Sequence, residues 1–494
     1  WLGLGIANCI LLNYRITPLA ATDFKILRSV WEIIGDYLEI WQIILICASI
    51  LAFVSVVVII GKKAPKRKVQ YAKAVATVTV LTLALVLCTN VSLKAHAIST
   101  SFGNLADAYE EYGFAYCFSS SVIDRGINRP EGYSEEKIRQ VLKDIQAYRT
   151  GIPAERPNIV FLQLESFYDV NYYRGLSFTR NPVPVFTQLK SLCPSGFLTV
   201  PAIGAGTANT EFEVITGMSL DFFGAGEYPY KTIMQSATCE SICYNLKELG
   251  YRCHAIHNHS GTFYDRNKVY PNLGFDAYTS LEYMDNVELN PTGWAKDGVL
   301  AAEIMKVLQS TEKKDFIYAI SVQAHGKYPH KVVDEEQKIA VSGIEDEEDR
   351  IAFEYYVNQL SETDAFVGSL VAALSNYDEP VLVVIFGDHL PNFETSEDDV
   401  ETGNIYQTEY VVWSNYDNNG FEKARRDLYS YQLGAYVMGR LDMETGLLTK
   451  LHQRYSSDPE YQEYLELLEY DMLYGDLYAY GGQCPYEPAD MKMG

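Results

Sequence analysis

VLVVIFG (381–387), followed at once by Asp388-His389, decides the architecture of this chain. Seven uncharged residues rich in branched side chains fit a strand covered on both faces, and such strands belong to sheets wrapped by helices. The pattern recurs at NIVFLQL (158–164), YRCHAIH (251–257) and FIYAISVQ (316–323). Helical stretches lie between them, among them 238–249, ended by Gly250, and 351–375. This alternation predicts an α/β fold, a mostly parallel sheet flanked by helices. The run EDEEDR (345–350) reads as a solvated loop. The Tyr- and Glu-rich C-terminal stretch YQEYLELLEYDMLYGDLYAYGG reads as a helix plus tail packed on the domain.

Each strand delivers a residue that can carry chemistry. Glu165 follows the first, His257 ends the second with His259 just beyond, His325 follows the third, and Asp388-His389 follow the fourth. The carboxyl edge of a parallel sheet is where such folds bind ligands. Any one of these histidines reads as structural on its own, but four of the eight in the chain meeting two acids at one edge do not. Glu165, Asp388 and His389 form a candidate divalent-metal set, since carboxylate oxygens with one imidazole suit manganese, magnesium or zinc.

The small-residue loop Gly204-Ala205-Gly206 leads into Thr207 and a helix through TEFEVIT, ended by Gly217. Thr207 thus stands at or near a helix N-terminus, where backbone N–H groups hold phosphate and favour an alkoxide. A metal beside its hydroxyl would activate it as a nucleophile. The competing reading makes Thr207 or Thr210 a simple N-cap. Tyr264 and Arg266 follow in HNHSGTFYDR, where Arg266 is either a bidentate phosphate partner or a surface loop residue.

N-terminal to the α/β region the character changes. Trp41–Ile60 and Ala74–Leu93 are uncharged 20-residue runs, each long enough to cross about 30 Å of hydrocarbon as a helix. Residues 1–14 read as the tail of an earlier span, and a start on Trp1 reads as a truncated N-terminus. Lys62, Lys63, Lys66, Arg67, Lys68 and Lys73 place the loop between the two runs in the cytoplasm and everything after about residue 94 outside. Expected domains are therefore 1–93 transmembrane helices, 94–157 a linker, and 158–494 an extracellular globular domain. In the linker Ser134 caps an amphipathic helix carrying Ile138, Val141, Leu142 and Ile145, resting on the domain or on the membrane surface. A formal charge of −24 excludes nucleic acid as a partner. Cys117, Cys193, Cys239, Cys243, Cys253 and Cys484 lie outside and allow up to three disulfides.

NIVFLQLES, GAGTANTEF, HNHSGTFYDR and FGDH, in this order, resemble the extracellular domain of lipoteichoic acid synthases, phosphoglycerol transferases of the alkaline phosphatase/sulfatase superfamily. NYRITPLAATDF (13–24) is also similar to a loop between their membrane spans. The resemblance implies that Glu165, Thr207, Asp388 and His389 hold manganese (or magnesium), and that Thr207 is the nucleophile. It implies that His257, Tyr264 and Arg266 hold the phosphoglycerol headgroup and that His325 serves the leaving group. Tyr264 departs from the pattern, in which Trp is common. The implied partners are phosphatidylglycerol as donor lipid and a glycolipid or polymer as acceptor. The implied place is the cell membrane of a Gram-positive-type bacterium, with a multi-pass anchor.

Three other readings compete. A phosphoethanolamine transferase differs only in headgroup. A non-catalytic membrane receptor or scaffold on this fold would bind no metal. A sulfatase activity needs C/S-x-P-x-R for its matured nucleophile, and Cys193-Pro194-Ser195-Gly196 does not supply it.

Overall fold

A computed structural model describes residues 2–12, 18–20, 24, 40–63, 70–94, 109–110, 112–123, 126–146, 156–224, 226–326, 328–334, 339–417 and 425–494. One large sheet organises the chain. Its strands are β1 (Asn158–Leu164), β2 (Ser195–Thr199), β3 (Arg252–His257), β4 (Ala277–Ser280), β5 (Asp315–Ile320), β6 (Val381–Gly387), β7 (Gln407–Ser414), β8 (Leu428–Tyr429) and β9 (Lys492–Met493), in the order β8-β2-β7-β6-β1-β5-β3-β4-β9. Only β7 runs against its neighbours, β6 and β2; the other pairs are parallel. The mostly parallel sheet expected from the sequence is present, and β7 makes it mixed.

The main helices are α1 (Leu2–Leu12), α2 (Ile40–Lys63), α3 (Tyr71–Lys94), α4 (Glu135–Gln146), α5 (Thr207–Thr216), α6 (Gly298–Leu308), α7 (Glu347–Leu374), α8 (Ser430–Arg440), α9 (Leu447–Tyr455) and α10 (Tyr461–Leu473). Alternate strand residues feed two cores. Ile159 and Phe161 of β1 pack with Phe212 of α5, Leu433 of α8 and Leu465 of α10. Val160 and Leu162 face the other way, towards Leu300 and Ile304 of α6 and Val357 and Leu370 of α7. Burial on both faces explains why these strands carry no polar alternation.

Helix α4 rests on the domain. Ser134 Oγ accepts from the Lys137 amide at 3.3 Å, and Ile138, Val141 and Ile145 are fully buried in the first core. Lys137 pairs with Glu463 of α10 at 2.6 Å. The adjacent Tyr133 hydroxyl donates to Asp471 at 2.5 Å.

Several boundaries differ from the sequence reading. EDEEDR is not a loop: Asp346 accepts from the amides of Glu348 and Asp349, and the acids after it form the first turn of α7, where they complement the helix dipole. The helix expected over 238–249 spans only Ile242–Glu248, because Ser241 Oγ takes the Tyr244 amide and caps it there. The strand expected to reach 323 stops at Ile320; the amides of Val322 and Gln323 turn to Asp297 instead. The C-terminus is more than helix plus tail, since β9 adds to the sheet beside β4. Cys239, Cys243, Cys253 and Cys484 are thiols, so none of the disulfides the sequence allowed forms among these four.

Among the described residues one helical segment, Tyr71–Thr89, is long and apolar enough to cross a membrane, with mean hydropathy 1.9 and no burial against protein. Residues 64–69, which hold half of the orienting cations, and most of the 13–24 loop lie outside the described residues.

Candidate active site

Strand register builds the site. Leu164 pairs with Gly387, so the next residues, Glu165 and Asp388, leave the sheet side by side. A Cβ on Gly387 would lie 2.0 Å from the Phe167 carbonyl oxygen, so only glycine lets the two strand ends approach. Ser166 turns through φ 50° and stitches the acids together: its amide donates to Asp388 Oδ1 at 2.8 Å, and its hydroxyl donates to Glu165 Oε1 at 2.9 Å.

His389 completes the cluster. Its Nδ1 meets the Leu390 carbonyl at 2.8 Å, so that nitrogen carries the proton and Nε2 presents a lone pair. Nε2 lies 3.6 Å from Glu165 Oε1 and 3.5 Å from Asp388 Oδ2. Both Nε2 and Asp388 Oδ2 are buried without a hydrogen-bond partner. Burial and the Glu165 charge push the Asp388 carboxyl well above the usual carboxylate range. Burial also opposes the charge on Glu165, but His325, His389 and the hydroxyls of Ser166 and Thr207 outweigh it and hold that group low. Two adjoining buried acids, an orphaned imidazole lone pair and donor atoms all within 4.8 Å of one another fit a divalent cation. The donor set suits manganese, magnesium or zinc.

Thr207 stands beside this cluster as the first residue of α5. Gly206 occupies the cap position at φ 108°, and no side chain caps the helix. The N-cap readings of Thr207 and Thr210 are thereby replaced. The Thr207 hydroxyl donates to Glu165 Oε2 at 3.0 Å, and that of Thr210 donates to the Asp388 carbonyl at 2.8 Å.

A cleft of about 410 Å³, part of it open solvent, extends from Glu165 and Thr207. His257, His259 and His325 line it, as do Arg266, Phe263, Trp294 and Val322. His257 Nδ1 bonds the Ile320 carbonyl at 3.0 Å, and burial followed by the Arg266 charge holds this imidazole neutral. The same two causes bring His259 down to about 3. His325 Nδ1 bonds the Gly326 carbonyl. Three imidazoles of the site thus share one arrangement, with Nδ1 spent on a backbone carbonyl.

Arg266 is buried, with its Nε donating to Glu211 Oε2 at 3.1 Å and Nη2 to Glu211 Oε1. Tyr270 adds a hydroxyl to Glu211 Oε2 at 2.9 Å. Nη1 reaches the Phe263 carbonyl at 3.4 Å. A guanidinium has five N–H donors, so one remains on each terminal nitrogen. Tyr264 is not among the residues lining the cleft; it stacks on Tyr228 with centroids 5.8 Å apart. Its neighbour Phe263 lines the cleft instead. Glu211, Trp294 and Asp297 were missed from the sequence. Glu211 had a signal, being one turn after Thr207 on the same helix. Asp297 gathers Asn258 Nδ2, the Val322 and Gln323 amides and the Thr363 hydroxyl, and so ties together the loops that carry the histidines.

The mostly parallel sheet, with Glu165, Thr207, Asp388 and His389 gathered at its carboxyl edge, is that of the alkaline phosphatase/sulfatase superfamily. The chain belongs to the sulfatase family, whose model matches residues 157–442. A Rhizobium meliloti (strain 1021) protein provisionally assigned to cyclic beta-1,2-glucan modification is 28% identical over 369 residues, covering 70% of this chain and 56% of that protein. The capsular polysaccharide biosynthesis protein RkpI of the same organism is 27% identical over 293 residues, 58% of this chain and 50% of that one. The chain therefore spans about half the length of these relatives. The phosphoglycerol transferase GacH of Streptococcus pyogenes, solved with sn-glycerol-1-phosphate, shares the fold at a TM-score of 0.61 and 23% identity, over 71% of this chain and 97% of that one.

Proposed function

We propose that this chain transfers glycerol phosphate from phosphatidylglycerol to a hydroxyl of a glycolipid or glycan, through a covalent intermediate on Thr207. The observation that carries the reading is the meeting of Thr207, bonded to Glu165 at 3.0 Å, with Arg266 in one cleft. A cation held by Glu165, Asp388 and His389, with Thr207 beside them, would supply Lewis-acid polarisation and lower the pKa of the hydroxyl. Glu165 accepts the Thr207 proton along the existing hydrogen bond. Thr207 Oγ attacks phosphorus, the bond from phosphorus to the diacylglycerol oxygen breaks, and His325 protonates that oxygen. The uncapped N-terminus of α5 and the two remaining Arg266 N–H groups hold the phosphoryl oxygens. In the second half His325 takes the proton of an acceptor hydroxyl whose oxygen attacks phosphorus; the bond from phosphorus to Thr207 Oγ breaks, and Glu165 returns its proton to that oxygen.

Headgroup choice follows from charge. Glu165 is the one carboxylate among the residues lining the cleft, and it faces the cation site; Glu211 is spent on Arg266. The ammonium of phosphoethanolamine would meet the charge of Arg266, whereas glycerol hydroxyls can donate to the lone pair of neutral His257. The assignment as a multi-pass membrane enzyme, its domain outside and beside its lipid donor, belongs to the same proposal.

The test incubates the detergent-solubilised chain with fluorescent phosphatidylglycerol, with and without manganese, beside Thr207→Ala. Manganese-dependent diacylglycerol release that the variant lacks supports the reading. Release from phosphatidylethanolamine alone would move the headgroup, and silence with both lipids would favour a non-catalytic role.

A further inference from the structure

The geometry points to Trp294 as the platform on which the acceptor's sugar ring lies during the second half of the transfer. This role rests on the phosphoglycerol reading and assigns the cleft wall that the donor chemistry leaves unused.

Trp294 is half-buried at the cleft, its ring centroid 4.6 Å from that of His325 and 5.5 Å from that of His259. Its loop is built to hold it there. Buried Asn290 accepts the Trp294 amide on Oδ1 at 2.9 Å and returns its own amide to the Trp294 carbonyl at 2.7 Å. The Asn290 Nδ2 donates to the Gln323 carbonyl at 3.1 Å, two residues before His325. One buried side chain therefore ties the Trp294 backbone to the strand-end turn that carries His325.

A flat apolar ring bordered by hydrogen-bonding imidazoles matches a pyranose, which offers an apolar C–H face for the indole and hydroxyls around its rim for the nitrogens. Glycerol has no such face, and an acyl chain has no hydroxyls for the imidazoles. A sugar lying on Trp294 places a rim hydroxyl beside His325, which takes its proton as the oxygen attacks phosphorus, the bond from phosphorus to Thr207 Oγ breaks, and Glu165 reprotonates Thr207.

The phosphothreonine formed from phosphatidylglycerol divides between water and sugar, and that division reports on the acceptor alone. The full chain in detergent, with manganese and phosphatidylglycerol, is given cyclic β-1,2-glucan in one arm and a glucosyl-diacylglycerol in the other. Glycerol phosphate on the sugar is measured against glycerol phosphate freed to water. Trp294→Ala should lower the ratio about tenfold, a loss of about 1.4 kcal/mol of acceptor binding, with the acceptor KM rising. Trp294→Phe should keep most of it. The arm with product tells a soluble glycan from a lipid-linked one. An unchanged ratio in Trp294→Ala, with both products intact or both reduced alike, overturns the platform and leaves Trp294 as packing for His325. Cleavage without transfer to either sugar also overturns it. No cleavage by the unaltered chain contradicts the phosphoglycerol reading itself.

Discussion

Glu211 and Arg266 form a buried, bidentate ion pair that joins the helix begun by Thr207 to the far wall of the cleft. Glu211 lies one turn after Thr207 on α5, so the guanidinium takes its position from the same helix that presents the hydroxyl. Both side chains are essentially inaccessible, which makes the pair costly to break from one side.

Removing either partner alone leaves an uncompensated buried charge. Glu211→Leu or Arg266→Met should each destabilise the chain by about 3–5 kcal/mol in denaturant titration. The double variant should recover much of that loss, because two apolar groups replace two ions. Transfer should stay absent in the double variant, since the phosphate partner is gone. Recovery of both stability and transfer would show that Arg266 serves only the fold.

Metal should bind to the cluster and stabilise it. At a free manganese concentration about 100 times Kd, the folded state gains about 2.7 kcal/mol, visible as a rise in Tm. Asp388→Asn and His389→Gln should erase the rise, with titration calorimetry showing no saturable binding. A rise that survives both variants would place the ion elsewhere.

Glu213 offers a pH test away from the site. Burial pushes its carboxyl from the ordinary value up to about 8, against hydrogen bonds from the Leu220 amide and the Ser430 hydroxyl. Asp221 and Glu469, which face it, are raised as well, each chiefly by burial. The folded chain thus binds more protons than the unfolded one between about pH 4.5 and 8. The stability this contributes is full below that window and is lost as pH rises through it. Glu213→Gln should flatten part of the fall in Tm over this range. An unchanged slope would assign the dependence to other groups.

The strand ends were legible because buried parallel strands carry a strong apolar signal and their carboxyl edges share one line. Glu165, His257, Asp388 and His389 came from that rule alone. Thr207 was legible as the start of a helix, but its freedom from capping was not, since that depends on Gly206 taking the cap position with no side chain to offer. Trp294 and Asp297 left no trace in the periodicity; they sit in an irregular loop whose shape is set by Asn290 and by the ends of β3 and β5. Tyr264 was placed by motif position, whereas the left-handed turn at Tyr264 and Asp265 turns its ring to Tyr228. EDEEDR was misread because a run of acids looks the same in a loop and in a helix's first turn until the cap is seen.

Thr207 as carrier of the phosphoglyceryl group is the central claim. Its most direct test is peptide mass spectrometry of the chain quenched in acid after brief exposure to phosphatidylglycerol and manganese with no sugar acceptor. The account predicts a glycerophosphoryl group on the peptide containing Thr207, localised to that residue and lost on chasing with acceptor. Diacylglycerol release with no adduct on Thr207, or with the group on another residue, would contradict it.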